Sequence, residues 1–141
     1  MCRYDIQSLY EIVEPLGQGS YGNVYSVIDK KGKKFAMKIS NIINGMHISP
    51  IILREITNLK KFNHNNIVKL YDVIVGKFDK MDSICLILEL CDCDLIGQKF
   101  NLDHFYQLID SVIHIHEMGF YHGDLSFGNV MVKDNDIKVI D

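Results

Sequence analysis

The sequence predicts an α+β fold in two parts: five strands with one inserted helix, then a connector, one long helix, a polar loop and a short strand pair. Three observations carry this. Short apolar runs bounded by Gly, Asn and Lys turns crowd the first ninety residues. A helix-start signal, Ser49-Pro50, interrupts them. A longer stretch of helical periodicity follows only after residue 102. Runs of strands followed by helix indicate α+β rather than alternating α/β order. With 141 residues, one domain or two small lobes are expected, and the boundary is placed between 1–90 and 91–141.

The elements follow in chain order. Residues 10–17 read as a strand running into the glycine turn Gly17-Gln18-Gly19-Ser20-Tyr21-Gly22. Val24 to Asp29 is its hairpin partner, closed at Lys30-Lys31-Gly32. Lys34 to Ser40 is a third strand. After Ser49-Pro50, Ile52, Ile56 and Leu59 fall on one helical face. Ile67 to Val75 and Ser83 to Leu90 are two further strands. Cys91 to Phe100 is a polar, glycine-containing connector. Asp103 is placed to cap the second helix, with Gly119 as its stop, and Phe105, Leu108, Ile109, Val112 and Ile115 form its apolar stripe. Val130 to Lys133 and Ile137 to Ile140 flank an Asp134-Asn135-Asp136 turn.

Composition excludes several classes. Hydrophobic residues make up 48% of the chain, which argues against disorder, and the net charge is −3 with no long basic run. A nucleic-acid binder is therefore not expected. Ile84 to Leu90 is too short to span a membrane. The start, Met1-Cys2-Arg3-Tyr4-Asp5, lacks the apolar core of a signal peptide, so an intracellular, cytoplasmic protein is expected. Cys2, Cys85, Cys91 and Cys93 are then free thiols. Cys91-Asp92-Cys93 lacks a second pair with metal-ligand spacing, so no zinc site is expected. His114 and His116 lie two apart on a helix and point in different directions, as surface or packing residues do.

The chemistry-bearing residues come in a fixed order. Gly17, Gly19 and Gly22 let backbone N–H groups approach phosphate oxygens. A strand follows this loop, where a dinucleotide-binding fold would need a helix. Next come Ala36-Met37-Lys38 in a strand, Leu53-Arg54-Glu55-Ile56 in a helix, then His64-Asn65-Asn66-Ile67-Val68-Lys69-Leu70, and Leu86-Ile87-Leu88-Glu89-Leu90-Cys91. His122-Gly123-Asp124-Leu125-Ser126-Phe127-Gly128-Asn129 and Ile137-Lys138-Val139-Ile140-Asp141 close the series.

In that order and spacing the chain resembles the eukaryotic-type protein kinases, near the cyclin-dependent Ser/Thr kinases, over their N-terminal half. The resemblance implies a five-stranded antiparallel small lobe with one helix, a hinge, and a partial large lobe of one long helix, catalytic loop and short β-hairpin. It implies ATP and Mg²⁺ as cofactors, and transfer of a phosphoryl group to Ser or Thr of a protein substrate. Asp124 is then the catalytic base, with Lys38 on the phosphates and Glu55 as its partner. Leu16, Gly17, Gly19, Gly22, Val24, Ala36, Lys38, Leu88, Glu89, Cys91 and Met131 would line the ATP site, with Leu88 as gatekeeper and the backbones of Glu89 and Cys91 on the adenine edge. Asn129 and Asp141 would hold the metal.

Departures from the pattern matter. Gly123 stands where an Arg usually docks a phosphorylated activation loop. Ser126 stands where a Lys often neutralises the γ-phosphate, so slower transfer is expected. The sequence given ends at Asp141, where an activation segment would begin. The expectation is a fragment of a longer product, a chain that pairs with another, or one of marginal stability, because the stripe on 103–118 would lack its cover. Two other functions fit the same residues: a non-catalytic decoy or inhibitor docking on a partner kinase, and a small-molecule phosphotransferase of the aminoglycoside or choline type.

Overall fold

The computed structural model describes residues 5–19, 22–42, 48–94, 99–119 and 129–140. The chain divides into two compact units, one of residues 1–57 and 70–90, the other of 58–69 and 91–141.

The first unit begins with a one-turn helix that the sequence reading did not anticipate, α1 (Ile6–Leu9), capped by the Asp5 carboxylate on the Gln7 N–H. Five strands follow: β1 (Tyr10–Gly19), β2 (Gly22–Asp29), β3 (Lys34–Asn41), β4 (Leu70–Phe78) and β5 (Met81–Leu88). They form one antiparallel sheet in the order β1-β2-β3-β5-β4. The expected five-stranded antiparallel sheet is present. The turn after β2 is built by Asp29, whose Oδ1 accepts from the N–H groups of Lys31 and Lys33 at 2.9 and 2.8 Å.

Strand alternation gives the sheet two faces. Val27, Phe35, Met37, Ile39, Cys85 and Ile87 share one face and form a buried core with Ile6 of α1. Val24, Lys38 and Leu86 are in register on the other. The inserted helix α2 (Pro50–Lys61) starts where Ser49-Pro50 predicts, with Ser49 Oγ accepting from Ile51 N–H at 3.3 Å. It buries Ile52 and Ile56.

In the second unit a two-residue strand, β6 (Cys93–Asp94), lies within the expected connector. It joins β7 (Val130–Lys133) and β8 (Asp136–Val139) in a three-stranded antiparallel sheet. Between them runs α3 (Leu102–Glu117). Its cap is Asn101, whose side chain accepts from the His104 N–H at 2.8 Å, and not Asp103. Asp103 instead lies inside the first turn and accepts from Gln107 Nε2. Gly119 ends the helix at φ 86°, a left-handed conformation that glycine reaches without steric cost.

The apolar stripe of α3 is split. Ile115 is buried with Ile67 and Val139, and Leu108 packs against that cluster and against Val130 and Ile137. Phe105 and Ile109, expected on the same stripe, are 45% and 40% exposed. His104 and Ser111 take the inward positions instead. Steps of three and then four residues place 108, 111 and 115 on one helical face, and 105 and 109 lie outside it.

Candidate active site

Lys38 is the centre of what the first unit builds. It lies on β3 opposite Val24 of β2 and Leu86 of β5. Its Nζ donates to both carboxylate oxygens of Glu55 on α2, at 3.0 and 3.1 Å. Both side chains are largely withdrawn from solvent, 13% and 17% exposed. A charge taken this far from water needs a partner, and the two-oxygen contact fixes the ammonium at one point on the sheet face. The strand and helix that the sequence assigned to this couple thus deliver it.

Neighbouring residues of the expected nucleotide site share that face. Ala36 is buried and in register with Ser26 and with Leu88, which in turn pairs with Leu70. Val24 is half-buried, as are Leu88, Glu89 and Cys91. Leu16 is 47% exposed. Gly17 pairs with Val24, and Gly19 with Gly22 at the end of the β1–β2 ladder. A Cβ on Gly22 would lie 1.8 Å from the Ile39 carbonyl oxygen. Only glycine permits this approach of β2 to β3. A Cβ on Gly17 would meet nothing within 4 Å, so that stretch of backbone is open to an incoming group.

In the second unit, Asn129 precedes β7 and its carbonyl accepts from the Ile140 N–H at 3.0 Å. Met131 on β7 pairs with Lys138 of β8 and Asp94 of β6. Asp124 and Asp141 lie outside the described residues, as do His122, Gly123 and Ser126.

Asn66, which is buried, and Gln107, which is half-buried, were not singled out by the sequence reading and form a polar hub beside this region. The Asn66 side-chain amide donates to the Ile137 carbonyl at 3.0 Å and to Gln107 Oε1 at 3.2 Å. Gln107 Oε1 also accepts from the Ile137 N–H at 2.8 Å. On α3 Gln107 looks like an ordinary surface residue; only the position of β8 reveals its use.

A five-stranded antiparallel sheet with a lysine–glutamate couple, followed by a helix and a short sheet, is the architecture of a partial protein kinase domain. The chain belongs to the protein kinase domain family, which it matches over residues 10–141. It is 35% identical over 143 residues to a putative serine/threonine-protein kinase L232 of Acanthamoeba polyphaga mimivirus, across 94% of this chain and 22% of the relative. It is 31% identical to cyclin-dependent kinase 12 of Caenorhabditis elegans, across 94% of this chain and 21% of that protein. Mitogen-activated protein kinase 4 of Oryza sativa subsp. japonica is 30% identical, across 98% of this chain and 41% of its own length. The chain thus spans between about a fifth and two fifths of these relatives.

Proposed function

We propose that this chain binds ATP·Mg²⁺ and transfers the γ-phosphoryl group to Ser or Thr of proteins. The observation that carries the reading is the Lys38–Glu55 couple, a withdrawn ammonium held by two oxygens on the sheet face that also bears Val24 and Ala36. The donor chemistry fits the nucleotide. A fixed cation, a glycine backbone open at Gly17 and an apolar Leu88–Ala36 pair suit phosphate and adenine respectively. The family and its Ser/Thr kinase relatives support the same assignment.

ATP supplies the transferable group, and Mg²⁺ supplies charge neutralisation on its oxygens. Lys38 binds and orients the α- and β-phosphate oxygens, and Glu55 keeps Lys38 in place. Asn129 and Asp141 offer the hard oxygen ligands that Mg²⁺ prefers. Asp124 orients the substrate hydroxyl and takes its proton. Ser126 brings no cation to the γ-phosphate, so turnover is expected at the slow end for such enzymes.

Radiolabelled ATP with generic protein substrates tests this. Wild type is expected to transfer label, and Lys38→Met and Asp124→Asn are expected to lose about a hundredfold or more. Equal label from wild type and Asp124→Asn would remove the catalytic assignment.

A further inference from the structure

We propose that the β2–β3 hairpin, Asp29 to Lys34, is a docking point for an acidic segment of a partner protein. Four of the chain's 15 Lys and Arg residues stand at positions 30, 31, 33 and 34, in a chain whose overall charge is −3. All four are exposed. Lys38 and Lys77 each meet a carboxylate, but among the described residues none of these four does. Like charges this close in the chain repel one another, and an anion brought to them relieves that repulsion.

The turn holds these charges in place. Asp29 Oδ1 accepts from the N–H groups of Lys31 and Lys33, the Asp29 N–H donates to the Lys33 carbonyl at 2.9 Å, and the Gly32 N–H donates to the Asp29 carbonyl at 3.1 Å. Gly32 supplies the φ of 84° that closes it. The one carboxylate of the turn is thus directed at its own backbone. Asp72, beside Tyr71, bonds the Val73 N–H of its own strand. Lys33 is fixed further, with its Nζ 4.7 Å from the centre of the Tyr71 ring and 5.2 Å from that of Phe35, a cation–π contact. Tyr71 is 40% exposed, so an aromatic surface adjoins the cations and can receive the methylene stem of a glutamate. All four residues are Lys. An ammonium is a point charge without the planar fork that reads guanine or grips phosphate in two bonds, so the patch selects negative charge and not a nucleic-acid sequence. A membrane or a nucleic-acid strand presents negative charge over a broad area and would also meet the rest of this acidic chain. A short acidic segment meets only the hairpin tip.

No residue of the proposed nucleotide site takes part, and the test runs on the full chain without ATP, so its outcome and that of the kinase reading are separate results. The probe is a short fluorescein-labelled peptide of alternating Asp and Glu, followed by anisotropy at about 50 mM salt, where exposed charges are less screened than at physiological strength. Wild type is expected to bind it, and Lys30→Gln with Lys31→Gln to weaken binding about threefold to tenfold. Lys60→Gln with Lys61→Gln removes the same charge from α2 and should leave binding unchanged. Amide shifts induced by the peptide should cluster at residues 29–34 and at Tyr71. No binding by wild type, equal losses in the two double variants, shifts centred elsewhere, or tighter binding to phosphatidylserine vesicles or single-stranded DNA than to the peptide would each overturn the inference.

Discussion

Cys85 lies on β5 with no exposed surface, and burial pushes its thiol up to about 12 from the ordinary 9.0. The thiolate is the nucleophile, so native Cys85 should resist iodoacetamide at mildly alkaline pH while half-buried Cys91 and Cys93 react. Mass spectrometry of the labelled peptides reads this directly. The same shift has a stability consequence. Above the unfolded value the unfolded chain sheds this proton and the native chain keeps it, so the native state binds more protons. Stability should therefore fall as pH rises from 9.0 towards about 12, by at most about 1.4 kcal/mol per pH unit. Cys85→Ala should remove that part of the slope in urea melts. At this scale the sequence was legible where one residue type is bound to one local pattern. Lys38 after Ala36 and Glu55 after Arg54 were readable, and the structure joins them at 3.0 Å. Asn66 was not readable as a hub, because its partners Gln107 and Ile137 are 41 and 71 residues away.

Among the elements, most types and most rough positions were readable, and the misplacements have causes. Ile67 and Val68 look like the start of the fourth strand and are buried. They bond to Val139 instead, by an isolated parallel bridge and the Val68 N–H, so β4 starts only at Leu70. The hairpins are set by turn chemistry. Asp79 and Lys80 join β4 to β5 at φ 48° and 65°, and Asp134 and Asn135 join β7 to β8 at φ 52° and 68°. Positive φ at both positions defines a type I′ turn, which favours Asn or Asp followed by Gly. Asp79 is well suited, and its carboxylate also accepts from Gln7 Nε2 at 2.9 Å. Lys80 pays a Cβ penalty there. Lys80→Gly is expected to raise stability by about 0.5–1 kcal/mol, seen as a higher urea midpoint at unchanged slope. A second contrast lies at the start of α3. Asn101→Ala should cost about 1 kcal/mol through the lost His104 N–H bond. Asp103→Ala loses a bond to one exposed side chain and should cost less in the same melts. A larger loss from Asp103→Ala would return the cap to where the sequence put it.

For the whole molecule, the question is what closes the sheet face away from Lys38. The buried residues Val27, Phe35, Met37, Ile39, Cys85 and Ile87 form that face's core, and Ile6 completes it with no exposed surface. Nothing in residues 5–9 announces this, since a single turn has too few residues for a periodic signal. It is instead tied at its flanks. Asp5 bridges to Lys77, and Gln7 donates to the Asp79 carboxylate while accepting from the Asp79 N–H at 3.2 Å. A short helix has little stability of its own, so its place depends on Ile6 entering the core. Ile6→Ala should then destabilise the chain by about 2–5 kcal/mol, the usual range for emptying a buried isoleucine site. It should also speed labelling of Cys85, which shares that core. Gln7→Ala, which removes only the exposed tie to Asp79, should cost about 1 kcal/mol or less and leave Cys85 protected. If Ile6→Ala leaves both the melt and the Cys85 labelling rate unchanged, α1 is an ornament on the sheet and the core is closed without it.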